Sequence, residues 1–132
     1  MSGHTYDTGV LIAAERNERF VWALHRRLLE QGISPSVPAT VLAQAWRGGP
    51  QAQLSRLLAG CEIRPLMEAQ ARECGRLLAR ARSSDIVDAN VVMVARERGE
   101  VVVTSDQGDL TRLSRALGRP FVEIWLINDL AS

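Results

Sequence analysis

Ser83-Ser-Asp85-Ile-Val-Asp88-Ala-Asn-Val-Val-Met-Val-Ala-Arg-Glu-Arg-Gly99-Glu-Val101-Val-Val-Thr104-Ser-Asp106-Gln-Gly-Asp109-Leu-Thr-Arg-Leu113 is the stretch that decides the fold. Its apolar spacing predicts a helix from Ile86 to Arg98, buried on more than one side and stopped by Gly99. Val101 to Thr104 is a continuous β-branched run, the pattern of a central parallel strand covered on both faces. A polar turn follows, then a helix from Leu110 to Leu117 with Gly118 as its stop. The sequence has six aspartates, and Asp85, Asp88, Asp106 and Asp109 all lie here. They stand at helix starts or just past a strand, where a short side chain can project into a cleft.

The same grammar extends outward. A short strand ends near Asp7, and a helical turn carries Val10, Leu11 and Ala14. Residues 17–31 form an amphipathic helix, with Phe20, Leu24 and Leu28 four apart, Asn17 as the expected N-cap and Gly32 as the stop. Ile33–Val37 reads as a short strand or extended segment. Pro38 suits the first turn of a helix running to Arg47, since its missing N–H costs nothing there. Helices are also expected from Gln51 to Ala59 and from Glu68 to Arg82. Short strands are expected at Cys61–Pro65 and at Phe121–Ile124, with the tail able to extend the last one. Strands alternating with helices predict an α/β fold with a mostly parallel sheet, as one domain over 1–132.

Composition narrows the chemistry. The hydrophobic share of 46% is ample for one core, and the net charge of +1 gives no global field toward nucleic acid. All sixteen basic residues are arginines. The lack of lysine excludes a phosphate-binding loop and any lysine-dependent mechanism. It also argues against a phospho-acceptor signalling domain, which needs a lysine at the sheet edge. Cys61 and Cys74 lack metal-ligand spacing and fit reduced, apolar roles. No secretory signal pattern or membrane-length apolar run is present, so a cytoplasmic protein is expected.

In open parallel sheets, ligands bind beyond the carboxyl ends of the strands. Asp7 closes the first strand and Asp106 follows the Val101–Thr104 strand, so both are expected at one edge. Asp85 and Asp88, three apart, share a helix face, and Asp106 and Asp109 repeat the spacing. Carboxylates crowded into one cleft repel one another, and a hard divalent cation relieves that repulsion. Mg²⁺ or Mn²⁺ in such a site suits hydrolysis of a phosphodiester.

Four segments now resemble a known family. They are Tyr-Asp7-Thr-Gly-Val-Leu-Ile-Ala, Val-Pro-Ala-Thr-Val-Leu-Ala-Gln44-Ala-Trp-Arg-Gly, Asp85-Ile-Val-Asp88-Ala-Asn-Val-Val and Thr-Ser-Asp106-Gln-Gly-Asp109-Leu. In order and spacing the chain resembles PIN-domain proteins, and within them the VapC-like ribonuclease toxins. The resemblance implies a three-layer α/β sandwich around a mostly parallel five-stranded sheet, a Mg²⁺- or Mn²⁺-dependent endoribonuclease, a small antitoxin partner and a homodimer. It matches Asp7, Asp88 and Asp106 to the family's acidic cluster and Asp109 to a more variable fourth acid. It also marks a departure, because Gln44 stands where a glutamate is usual. Losing that charge weakens attraction for the cation and leaves a catalytically silent PIN-like binding protein as the alternative.

Supporting positions have plainer readings beside the functional ones. Asp85 serves equally as a helix cap or a site residue. Asp109 serves equally as a helix-start acid or an outer partner of the metal. Thr104 and Ser105 either orient water or satisfy a turn. Arg80 and Arg82, just before the acidic helix start, are the arginines expected to contact RNA phosphates. Trp22, Trp46 and Trp125 are expected as core or interface anchors, and His4 and His25 as structural or exposed residues.

Overall fold

The structure is a computed structural model and describes residues 3–127. Its centre is a five-stranded, all-parallel sheet in the order β3-β2-β1-β4-β5. The strands are β1 (His4–Tyr6), β2 (Ser36–Pro38), β3 (Glu62–Arg64), β4 (Val101–Thr104) and β5 (Ile124–Leu126). The helices are α1 (Thr8–Glu15), α2 (Arg19–Glu30), α3 (Ala39–Ala45), α4 (Ala52–Ala59), α5 (Glu68–Ala81), α6 (Ile86–Arg98) and α7 (Leu110–Leu117).

The chain starts in the middle of the sheet, moves outward to β2 and β3, then crosses back to β4 and β5. The right-handed rule for such crossovers assigns the early helices to one face and α5, α6 and α7 to the other; α1 packs with α2, α3 and α4, and α5, α6 and α7 pack with one another. This is the predicted three-layer α/β sandwich. The strand order reverses between β1 and β4, the point where such sheets open a crevice. β1 and β4 run in register there, Tyr6 opposite Val103.

The residues dictate this packing. Val101 is 6% exposed, and Val102 and Val103 are fully buried, as a strand covered on both faces requires. α6 is apolar around much of its circumference because it is enclosed: Ala89, Val91, Val92 and Ala95 are all buried. α6 packs on α5 and α7 and on the sheet. On the opposite face Tyr6 is fully buried, and its hydroxyl lies 2.9 Å from Nδ1 of buried His25 on α2. Burial holds the His25 ring neutral, with its pKa below the usual value.

Some boundaries differ from the sequence reading. Asn17 does not cap α2: its φ is +59°, and the helix begins after Glu18. Asparagine tolerates the left-handed region, so here it turns the chain between α1 and α2. α3 ends at Ala45, two residues early, because Trp46 is already extended. The last strand begins at Ile124, not Phe121. The Val122 N–H donates to Ser114 Oγ on α7, which keeps this segment with the helix until pairing with β4 starts. The expected extension of the tail past Ile127 lies outside the described residues. Cys61 and Cys74 are free thiols, as expected.

Candidate functional site

The carboxyl ends of β1 and β4 position the first acid. Asp7 follows Tyr6 and caps α1, its Oδ1 accepting from the Thr8 N–H at 2.7 Å. Its Oδ2 accepts from the Thr104 hydroxyl at 2.8 Å. Asp7 is 7% exposed and Thr104 is 1% exposed, so the carboxylate is fixed between two elements. Burial raises its pKa, the two hydrogen bonds oppose that, and repulsion from Asp85 and Asp106 adds to it.

The second group sits on the first turn of α6. Asp85 is the N-cap, its Oδ1 accepting from the Asp88 N–H at 2.9 Å. Asp88 turns the other way, and its Oδ2 accepts from the Asp109 N–H at 3.3 Å. Burial, then the charges of Asp7 and Asp85, push the Asp88 carboxyl up to about 7. That repulsion places Asp7, Asp85 and Asp88 within electrostatic reach of one another.

The third group follows β4. Asp106 is exposed, and its Oδ1 accepts from the Gly108 N–H at 3.1 Å in a tight turn. Its own N–H donates to Thr104 Oγ1 at 3.1 Å, so one threonine braces both Asp7 and the Asp106 loop. Gly108 has φ +46°, and a Cβ there would come within 3.3 Å of Asp88 Oδ2. The turn thus passes directly over the Asp88 carboxylate.

Asp109 has other partners. Its Oδ2 accepts from the Ser83 hydroxyl at 2.6 Å, and its Oδ1 pairs with Arg112 at 3.0 Å. The Ser83 hydrogen bond, followed by Arg112, holds its carboxyl below the usual range. Only its backbone N–H faces Asp88. Gln44 is an exposed residue of α3, and its Oε1 accepts from the Thr8 hydroxyl at 2.6 Å. That contact brings Gln44 beside Asp7 but occupies the oxygen that would serve as donor to a cation. Ser105 is exposed between Thr104 and Asp106. Arg80 and Arg82 are both exposed. Arg82 closes α5 in the left-handed region with φ +55°, and the chain turns there toward Asp85. Trp46 is 41% exposed, whereas Trp22 and Trp125 each donate a hydrogen bond through Nε1.

The donor set fits a hard divalent cation in its chemistry: all oxygens, net negative, and self-repelling. Its geometry is open. Among the described residues no group of three or more His, Cys, Asp or Glu side chains could hold a metal ion.

Two contributors escaped the sequence reading. Ser83 holds Asp109, a contact 26 residues apart that no local pattern reveals. Gly9 is the other. A Cβ there would fall 1.9 Å from Ser105 Oγ and 3.0 Å from Ser105 Cβ, so α1 presses its bare backbone against the Ser105–Asp106 loop. Gly9→Ala is expected to displace that loop and cut activity about tenfold or more, as catalytic groups tolerate little misplacement. Ser105→Gly in the same chain is expected to restore most of the loss. Equal activity of Gly9→Ala and wild type would show that the loop yields freely.

Comparison with known proteins agrees with this architecture. The family model for the PIN domain matches residues 5–116. Three similar solved structures show the same fold. PAE2754 from Pyrobaculum aerophilum is 15% identical with a TM-score of 0.64, covering 98% of this chain and 86% of that one. VapBC2 from Rickettsia felis, bound to a DNA fragment from their promoter, is 16% identical with a TM-score of 0.68, covering 92% and 98%. FitAB bound to an IR36 DNA fragment is 17% identical with a TM-score of 0.65, covering 94% of each chain. A comparison with curated protein sequences finds no significant match.

Proposed function

The chain belongs to the PIN-domain family, and from that premise we propose that it is the toxin of a type II toxin–antitoxin pair, a divalent-metal-dependent endoribonuclease. The observation that supports this reading is Asp7 at the carboxyl end of β1 and Asp88 on the first turn of α6, both carboxyls driven above their usual range by burial and neighbouring acids. Groups strained in that way at a cleft are candidates for function.

Asp7, Asp88 and Asp106 are the residues we assign to Mg²⁺ or Mn²⁺, with Asp109 as a weaker fourth. The cation would supply positive charge against the phosphoryl oxygens of RNA. The chain's own residues prepare the cleft. Thr104 and the Thr8 N–H fix Asp7. The Asp109 N–H fixes Asp88, and Ser83 with Arg112 draws the Asp109 side chain aside. Thr104 is assigned to bracing Asp7 and the Asp106 turn, and Ser105 to the backbone of that turn. Arg80 and Arg82, exposed at the end of α5, are assigned to phosphates of the RNA strand. Asp85 is assigned a positioning role through its cap on Asp88.

The similar structures VapBC2 and FitAB are bound to DNA, in the first case a fragment from their promoter. We extend that arrangement to this chain: a small promoter-binding antitoxin as partner, with the toxin as a homodimer acting in the cytoplasm. No helix among the described residues is long and apolar enough to cross a membrane.

The silent binding-protein reading is favoured by one observation, the commitment of Gln44 Oε1 to Thr8. Cleavage of an RNA pool with Mn²⁺ or Mg²⁺, with chelator, and with Asp106→Asn separates the two. The nuclease reading expects cleavage with metal, none with chelator, and a loss of about a hundredfold or more in the variant. Cleavage indifferent to metal and to Asp106 sinks it. Mn²⁺ is expected to bind the free protein weakly and more tightly with RNA present. Gln44→Glu should strengthen binding to the free protein by about tenfold, through one added charge.

A further inference from the structure

A cleft of about 440 Å³ lies away from the acidic edge, between α6, the start of α5 and the end of β3. Its polar walls are Arg64, Gln70, Asn90 and Arg98, with Met93 as an apolar surface and exposed Glu97 as its one carboxylate. Asn90 is two residues beyond Asp88, about 200° further around the helix. The cleft therefore opens on a different side of α6 from the acids.

Each polar wall is held at one atom and leaves its donors unused. Arg64 Nε donates to buried Ser36 Oγ at 3.0 Å, and its two Nη groups have no partner among the described residues. Gln70 Oε1 accepts from the Met67 N–H at 2.7 Å, which leaves its Nε2 donor free. Asn90 Oδ1 accepts from the Thr40 hydroxyl at 2.7 Å, leaving Nδ2 without a partner among the described residues. Asn90 is only 2% exposed and still lines the cleft, so its amide is held in place there. Arg98 makes its one contact through Nε to Glu100, at 3.4 Å.

Two guanidinium groups and two amides thus present donors to one concave space, with their acceptors already satisfied. A ligand with several acceptor oxygens and negative charge complements that arrangement, and paired arginines favour phosphate. The volume is that of a small-molecule site. We propose that this cleft binds a phosphate monoester of about mononucleotide size, with its phosphate on Arg64, Arg98, Gln70 and Asn90 and its apolar part over Met93. The site is independent of RNA cleavage and stands or falls without it.

The test is a ¹H–¹⁵N titration of the whole chain in chelator, with inorganic phosphate, uridine 5′-monophosphate and an oligoribonucleotide lacking terminal phosphates. The side-chain amides of Asn90 and Gln70 and the Arg64 Nε–H report the cleft. Phosphate and the monophosphate are expected to shift all three with saturation, and the monophosphate to bind more tightly. Arg98→Ala, at an exposed position, is expected to weaken binding about tenfold. Arg64→Ala should do the same, and Asp106→Asn should leave binding unchanged. No shift, shifts confined to residues around Asp7 and Asp88, or binding indifferent to both arginine variants would overturn the proposal. Binding of the oligoribonucleotide alone would also overturn it.

Discussion

Asp88→Asn is expected to abolish RNA cleavage and, in metal-free buffer at neutral pH, to make the protein more stable. The Asp88 carboxyl is pushed up to about 7, first by burial and then by Asp7 and Asp85. In the unfolded chain an aspartate titrates near 3.9. A folded pKa above the unfolded one means that its contribution is fully present below about 4 and is lost as pH rises through 7. The whole difference corresponds to about 4 kcal/mol, and Asp88 is only partly buried, so solvent screening brings this to about 1–2 kcal/mol. Asparagine carries no such penalty, and its carbonyl can still accept from the Asp109 N–H. In chelator, the melting midpoint of the variant should exceed that of wild type by about 3–8 °C at pH 7.5. The gap should close toward pH 4. Cleavage should fall about a thousandfold. A variant no more stable than wild type at pH 7.5 would show that Asp88 is not repelled by its neighbours.

Asp7→Ala is expected to lose activity on the same scale but to move stability the other way. Asp7 shares the upward push of burial, yet its two oxygens are engaged. Alanine removes the cap from α1 and leaves the buried Thr104 hydroxyl without that acceptor. Loss of a cap costs about 1 kcal/mol, and loss of one hydrogen bond from a Thr104 hydroxyl that keeps the Asp106 carbonyl as acceptor at 2.7 Å costs about 1 kcal/mol, partly offset by relief of charge repulsion. A net loss of about 1–2 kcal/mol is expected, read as a lower urea midpoint with an unchanged slope. Asp7→Asn retains an oxygen for the Thr8 N–H and should recover most of that stability without recovering cleavage. Activity surviving in both variants would remove Asp7 from the machinery. The two acids are thus expected to separate by thermodynamic sign although both are assigned to one cleft.

These residues also mark what was legible in the sequence. The Val101–Thr104 run and its flanking helices declare a central parallel strand, because burial on both faces leaves an unbroken apolar signature. From that strand, Asp7 and Asp106 follow as edge residues by topology alone. Helix termini were less certain. Asn17 carries the residue type of a cap and the backbone of a left-handed turn, and one sequence does not separate those uses. The start of β5 depended on Ser114 holding Val122, a contact between elements. Within the site, the role of Asp109 depended on Ser83, and the fit of the loop on the absent side chain of Gly9. Both are long-range facts with no periodicity to betray them. Gln44 was singled out by family resemblance, but its bond to Thr8 required the fold.

The hydrogen bond from Thr104 to Asp7 joins residues 97 positions apart. Contacts of that span close a large loop, and they form after the local helices and turns. The cleft therefore has an order of birth. A growing chain that has reached β3 already holds Asp7, but it has neither β4 to sit beside it nor the threonine that fixes it. A fragment ending before Val101 can carry three of the acids and still lack the edge that gathers them. For a protein whose proposed activity would harm the cell making it, late closure would be a safeguard during synthesis, since the cleft could assemble only after β4 had been made.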